Sequence, residues 1–348
     1  MKIAIVTFYN STNYGAFLQA NALRVFLSNY GEVFFIKTKV RNIWKKLFKL
    51  TVKALIKFQF RRCLLEWRKS LSCYKNVKTF KTIVMNEKSL KDIDLIVFGS
   101  DELWNIEKKL CKFPLLWGKG FEKNEKISYA VSMNNSTEKS LYENFSPHNY
   151  LKTFKKLSVR DKHSQEIIQK VTGREVSLVL DPTFLLEPRA YMSMIPKINL
   201  SDYIAVYSFG INDKVAGMLR GIAKEQGKEL VSFAKWFNWC DRNIAVQNPF
   251  AYYMNADFVV TSTFHGVALA IHMKKQFAVF TNGRIKVLNL LQEFNLTDRI
   301  ADGLSVSALQ NLFQSKIDYS LVENILKEKR QESLDFLKSV LMFKKDTK

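Results

Sequence analysis

The sequence predicts an α/β protein built from two doubly wound domains that face one another across a cleft. Three observations predict it. Short apolar runs alternate with helical stretches, the pattern of a parallel sheet covered on both faces. That alternation runs twice, and between the two series, over residues 181–199, Pro182, Pro188 and Pro196 cluster. The chain has 348 residues, and at roughly 150 residues per domain that suggests about two.

Taken in order, Lys2–Phe8 (KIAIVTF) reads as a buried strand. Ser11, Thr12 and Asn13 then offer N-caps to a helix over Gly15–Leu27. Val33–Ile36 and Asp94–Phe98 are the next strands, the latter running into Gly99, Ser100 and Asp101. Ile127–Val131 is a fourth strand, and Leu157–Val159 is a short fifth before Arg160, Asp161 and a helix over Lys162–Val171. Val176–Leu180 ends at Asp181-Pro182. The second series opens with the strand Tyr203–Phe209, the helix Lys214–Glu225 and the segment Glu229–Phe233. A helix near Phe250–Met254, the strand Asp257–Val260, a helix over Phe264–Met273 and the strand Phe277–Phe280 follow. A long amphipathic helix over Tyr319–Met342 is placed to cross back onto the first domain. The expected division is a Rossmann-like domain over residues 1–187 with a basic helical insertion at about 40–91, a second Rossmann-like domain over 200–318, and the C-terminal helix over 319–348.

Composition excludes several classes. With 13 Gly and 6 Pro the chain is neither collagen-like nor a disordered polymer. No apolar run approaches the ~18 residues of a membrane span, and Met1–Tyr9 lacks the longer apolar core of a signal peptide. Four cysteines (63, 73, 111 and 240) form no CxxC pair, so small reduced core residues and a cytoplasmic setting are expected. No P-loop, GxGxxG or HExxH occurs. Charge is the unusual quantity. The net is +22, and the stretch 37–91 alone holds 17 Lys/Arg against Glu66 and Glu87. Within it, Ile43–Trp67 interleaves Ile43, Trp44, Leu47, Phe48, Leu55, Phe58, Leu64 and Leu65 with seven cations, and reads as a basic amphipathic helix. Such helices suit an anionic membrane surface, here through residues 40–70. A helix packed on the first domain with a solvated basic back is the plainer alternative. Nucleic acid is not expected, because no recognition module accompanies the charge.

In doubly wound sheets ligands bind beyond the carboxyl ends of the strands. The polar residues there are Asn13, Tyr14 and Gly15; Ser100 and Asp101; Ser132; Arg160 and Asp161; and Ser262 through His265. His265 opens a helix after a buried strand, where backbone N–H groups favour an anion. The helix terminus lowers the pKa of such a histidine and a bound dianion raises it, which suits a group that donates a proton near pH 7. A histidine that only caps the helix is the alternative. Arg160 suits a carboxylate or phosphate; its alternative is an ion pair with Asp161 or Asp181.

The motifs NxxNYGAFLQAxAL (Asn10–Leu23), FGSDELWN (Phe98–Asn105), SVRD (Ser158–Asp161), LDPTFLL (Leu180–Leu186) and ADFVVTSTFHG (Ala256–Gly266) closely resemble those of the polysaccharide pyruvyl transferases. GRIKVLNLLQEFNLTDR (Gly283–Arg299) looks like that family's segment after the histidine. The resemblance covers about residues 1–300. It implies a GT-B-like fold and transfer of pyruvate from phosphoenolpyruvate onto two sugar hydroxyls as a cyclic ketal, with no metal and no cofactor beyond the donor. It implies His265 and Arg160 as catalytic residues. A further basic donor contact falls on Arg284 or Lys286, Arg284 fitting better. Asn13, Tyr14, Gly15, Ser100, Asp101, Ser132, Ser262, Thr263 and Gly266 complete the expected substrate-binding set. One departure is Thr263, where studied members carry Arg. Another is Met133-Asn134 after the YAxS-like Tyr129–Ser132, where Phe-Gly is usual. Acceptors implied are sugars of surface polysaccharides, among them sugars on polyprenyl carriers at the inner membrane face. A GT-B glycosyltransferase using a nucleotide sugar, and a non-catalytic membrane scaffold, are the competing readings.

Overall fold

The computed structural model describes residues 1–348 except 12, 38–42, 57–58, 189–198, 234, 246–248 and 343–348. Thr12, Pro196 and the start of the basic segment at 40–42, used in the sequence reading, lie outside the described residues.

The apolar runs form two five-stranded parallel sheets. The first contains β1 (Lys2–Val6), β2 (Glu32–Ile36), β3 (Thr82–Ile83), β4 (Leu95–Phe98) and β5 (Lys126–Ser128), in the order β3-β2-β1-β4-β5. Ile3 lies between Val33 and Leu95. A parallel pair, β6 (Ser158–Val159) and β7 (Ser177–Leu178), continues it beyond β5 through bridges such as Ile127 to Lys156. The second sheet contains β8 (Tyr203–Tyr207), β9 (Glu229–Ser232), β10 (Arg242–Asn243), β11 (Phe258–Thr261) and β12 (Phe277–Val279), in the order β10-β9-β8-β11-β12. Both sheets are wound alike. Each reverses direction beside its first strand, between β1 and β4 and between β8 and β11, and a doubly wound sheet opens a crevice at that reversal. Every residue of β4, β8 and β11 is buried, which is why these strands read as unbroken apolar runs. The sequence reading missed β3 and β10, two-residue edge strands too short to carry a pattern.

Among the described residues the named helices are α1 (Tyr14–Leu27), α2 (Ile43–Ile56), α3 (Phe60–Lys78), α4 (Glu87–Lys91), α5 (Glu138–Tyr142), α6 (His148–Leu151), α7 (Lys162–Thr172), α8 (Asp213–Glu225), α9 (Pro249–Asn255), α10 (Phe264–His272), α11 (Ile285–Glu293), α12 (Val306–Gln314) and α13 (Tyr319–Leu341). The single basic helix expected over Ile43–Trp67 is instead a pair, α2 and α3. The Trp67 indole donates to the Thr51 hydroxyl at 2.9 Å, although the two are 16 residues apart. In one helix they would stand about 24 Å apart. Folding back lets Leu47 and Leu65 both be buried.

The two halves share one apolar core. Leu18 and Ala22 of α1 pack in the same cluster as Tyr203, Tyr207, Phe264 and Val267 of the second half. α13 then runs back to the first half. Its Phe336, Leu337 and Val340 join Ile3, Ile5 and Leu95, and its Ser333 hydroxyl accepts the Leu180 N–H at 2.9 Å.

Candidate active site

At the first reversal a buried hydrogen-bonded ring joins β1, α1 and β4. The Gln19 amide donates to the Thr7 hydroxyl at 3.0 Å and accepts the Ser100 N–H at 3.0 Å, while Thr7 donates to the Ser100 carbonyl at 3.1 Å. This fixes the turn in which Asp101 takes a left-handed φ of 74°, a conformation Asp tolerates better than most residues. The second half uses the same device. Thr261 donates to the Tyr207 carbonyl at 2.8 Å, and the Ser208 and Ser262 hydroxyls meet at 2.9 Å.

Arg160 leaves β6 with its side chain only 1% exposed. It donates to Asp181 Oδ2 at 2.6 Å and to Asp101 Oδ1 at 3.2 Å, and its guanidinium lies 4.3 Å from the centre of the Phe264 ring. Of the two acids that the sequence offered as partners, Asp181 takes the role. Asp161 instead caps α7, accepting the Ser164 N–H at 2.8 Å. Burial disfavours the charged guanidinium, but Asp181, Asp101 and Glu102 outweigh it and hold its pKa above the usual value. Asp181 also receives the Ser100 hydroxyl at 3.1 Å and the Thr183 N–H and hydroxyl at 3.0 and 2.8 Å. Burial opposes its charge, yet His265, Arg160 and the two Thr183 hydrogen bonds keep its carboxyl below the ordinary range.

His265 is the second residue of α10, and the N-cap Thr263 hydroxyl accepts the Gly266 N–H at 2.9 Å. Its Nε2 stands 3.8 Å from Asp181 Oδ2, too far for a hydrogen bond. That nitrogen and Arg160 Nε are buried without a hydrogen-bond partner among the described residues. Buried polar atoms are rarely left so, and a ligand is one ordinary explanation. Burial lowers the His265 pKa, Asp181 and Asp101 pull it back up, and Arg160 and Lys286 push it down. The α1 terminus meets the imidazole: a Cβ at Gly15 would fall 2.2 Å from His265 Nδ1. The N-termini of α1 and α10 therefore converge from opposite halves on one point, and both favour an anion.

Of the other expected residues, Asn13 reaches a cavity, while Tyr14, Ser132, Ser262 and Gly266 are engaged within the fold. Asn13 caps α1, accepting the Gly15 N–H at 3.0 Å, and lines a cavity of about 530 Å³. The same cavity is bounded by Phe8, Asn10, Lys37, Asp101 and Phe113. Tyr14 is buried in the shared core beneath the Lys69 ammonium, 5.2 Å from its ring centre. Ser132 serves a turn, accepting the Asn134 N–H at 3.1 Å. Ser262 accepts the Phe209 N–H at 2.9 Å and a bond from Arg284 at 3.1 Å. Gly266 packs against Thr261 and Thr263, where a Cβ would fall 1.9 and 2.7 Å from their hydroxyls.

Arg284, preferred over Lys286 from sequence, spends its fork on the Ser262 carbonyl and hydroxyl and on the Phe209 carbonyl at 3.0 Å, tying β8 to β11. Lys286 is the cation turned to the cluster. Its ammonium binds Glu102, which also binds Lys108, joining the halves beside Asp101. The reason is register: Arg284 is the N-cap of α11, while Lys286 lies in its first turn. Sequence reasoning left Glu102 out and treated Asp181 only as a neighbour of Arg160. The acidic pair Asp101-Glu102 and the shared LDP segment were the available signals.

The fold is similar to that of solved enzymes at identities that speak for fold alone. A UDP-GlcNAc 2-epimerase from Neisseria meningitidis matches with a TM-score of 0.56 and 10% identity, over 98% of this chain and 100% of that one. A putative UDP-N-acetylglucosamine 2-epimerase from Listeria monocytogenes gives 0.56 and 9%, over 100% and 97%. An alpha-glucosyltransferase, AGT, gives 0.51 and 9%, over 100% and 98%. The architecture is GT-B-like, two Rossmann-like sheets facing one another. No curated protein matches the chain in sequence. The polysaccharide pyruvyl transferase family model matches residues 13–284, a span that holds Arg160, Asp181 and His265, and the chain is therefore a transferase belonging to that family.

Proposed function

We propose that the protein moves pyruvate from phosphoenolpyruvate onto two hydroxyls of one sugar, forming a cyclic ketal and releasing phosphate. The observation that carries this reading is the seam between the halves. A buried histidine with a partnerless Nε2 faces a buried arginine–carboxylate cluster there, between two helix N-termini.

In this reading His265 protonates the methylene carbon of the donor. The adjoining carbon becomes oxocarbenium-like, one sugar hydroxyl adds to it and gives up its proton, and the C–O bond to phosphate breaks. The second hydroxyl then adds, also losing its proton, and closes the ketal. Such acid catalysis contributes about 10²–10⁴-fold. Lys286, Arg160 and the helix N-termini hold the carboxylate and phosphate, and fixed charge there stabilises charge as it shifts. The free imidazole is held below its ordinary pKa by burial. A bound dianion reverses that, so the acid is charged when the donor arrives. Asp181 positions Arg160 by a hydrogen bond and, through its charge 3.8 Å away, favours the protonated imidazole. The 530 Å³ cavity beside Asp101 takes the acceptor, with Phe8 and Phe113 as aromatic walls and Asn10 and Asn13 for hydroxyls. The acceptor belongs to a surface polysaccharide or its polyprenyl-linked precursor, which sets the work at the cytoplasmic membrane face.

Calorimetric titration with phosphoenolpyruvate tests the donor. Saturable binding is expected, weaker by roughly tenfold in Lys286→Ala, as for loss of one charge contact. By histidine NMR, His265 should titrate below ~6.5 without donor and move upward with it. His265→Ala should stay folded and lose turnover. Binding of a nucleotide sugar in place of phosphoenolpyruvate would overturn the reading.

A further inference from the structure

The α2–α3 pair leaves an apolar stripe in solvent. Phe48, Val52 and Ile56 recur every four residues of α2 and are 70%, 39% and 72% exposed. Phe60 and Leu64 repeat the spacing on α3 at 55% and 52%. Residues four apart share a helix face. Lys49, Lys53, Arg61, Arg62 and Arg68 are exposed on the same two helices. The inner faces are occupied by other contacts. Leu47 and Leu65 are buried, Trp67 bonds Thr51, and Cys73 joins the shared core. Rows of exposed large apolar side chains on two adjoining helices are the kind of surface that marks an interaction site.

Charge decides what covers it. Residues 43–78 hold eleven Lys/Arg and one acid, Glu66. A second copy would bring the same cations and be repelled. Nucleic acid offers phosphates but no apolar layer for five exposed large side chains. An anionic bilayer offers both layers at the right depth. We propose that the α2–α3 hairpin docks on an anionic lipid bilayer, its apolar stripe at the acyl boundary and its cations at the headgroups. The proposal rests on the pyruvyl-transfer reading only for its purpose, delivery of a lipid-carried acceptor. α3 packs on α1, setting Lys69 over Tyr14, so the docked hairpin lies one helix from Gly15 and the seam.

The test is sedimentation of the full chain with vesicles of phosphatidylcholine, with and without phosphatidylglycerol, in the absence of donor and acceptor. Binding is expected only to the anionic vesicles and should weaken as salt rises. Lys49→Ala and Lys53→Ala should each lower partitioning about fivefold. The triple variant Phe48→Ser, Ile56→Ser, Leu64→Ser should keep its circular dichroism and phosphoenolpyruvate binding and lose vesicle binding. No partitioning at low salt, equal binding by the triple variant, or a stripe that turns out to drive self-association would each overturn the proposal. Since the vesicles carry no substrate, such failure leaves the transfer reading standing, and loss of donor binding leaves this one standing.

Discussion

A single missing methyl group at Gly15 makes room for the imidazole of His265. The residue lies in α1 with no left-handed φ, so no turn requires glycine there. What requires it is the second half of the molecule, because a Cβ would fall 2.2 Å from Nδ1 and 2.4 Å from Cγ of His265. Alanine is the better helix former by roughly 0.5–1 kcal/mol. Pushing the buried ring aside costs about 1–3 kcal/mol as overpacking, which outweighs that gain, so Gly15→Ala is expected to lower the melting temperature by a few degrees. It should lower kcat about a hundredfold, because the displaced ring is about 1 Å out of place. Parallel thermal melts and turnover assays check this; turnover lost only in proportion to unfolded protein would show a structural glycine only. The same logic separates Arg284 from Lys286: neighbours in sequence, one braces β8 against β11 and the other reaches the cluster.

At the scale of elements, α1 and α10 bring their positive ends together, and α13 holds the halves in that relation. α13 accepts the Leu180 N–H through Ser333, and its Arg330 donates to the Phe184 carbonyl at 2.7 Å. Both bonds fall just beside Asp181. Leu337 is fully buried against the first sheet. Leu337→Ala is expected to cost about 2–5 kcal/mol in denaturant unfolding, as for other large-to-small core changes. Because α13 braces the segment carrying Asp181, donor affinity should fall along with stability. Unchanged affinity in the folded variant would uncouple the brace from the site. The α2–α3 hairpin contrasts with α13. Its outer face carries cations and exposed apolar side chains, so serine substitutions there should move lipid binding rather than stability.

For the molecule as a whole, the charge balance and buried histidines act in the same direction with pH. The chain carries +22 near neutrality, and acid adds to that self-repulsion. His272 is buried, and burial followed by Arg330 pushes its pKa down to about 3. His265 is also lowered, first by burial. A histidine depressed on folding binds fewer protons folded than unfolded between the two pKa values. Its stability contribution is present above ~6.5 and is lost as pH falls toward the folded value, by about 1.4 kcal/mol per pH unit. Denaturant midpoints between pH 7 and 4 should therefore fall with acid, and His272→Leu should flatten that limb by about this slope. A slope unchanged in the variant would assign acid sensitivity to the other groups. Asp181, depressed by His265 and Arg160 against the cost of burial, adds to the loss only below its ordinary value.

Local sequence determined the inner strands of both sheets, because buried parallel strands must be continuous apolar runs and those runs are visible without a partner; the two-residue edge strands β3 and β10 carry no such run. It also determined the family: four of the five motifs lie within the matched residues 13–284, and the first, Asn10–Leu23, begins just before them. The residues gathered at the strand ends were legible for the same reason, since the winding alone places them there. Tertiary structure decided what each one does. Whether Arg160 meets Asp161 or Asp181 depends on how β6 sits against the segment after β7, which no spacing reveals. Gly15 is needed for a residue 250 positions away, and a short-range pattern carries no information about such a contact. The basic segment reads as one helix because periodicity reports a face and not a reversal; only packing of Trp67 on Thr51 shows that it folds back.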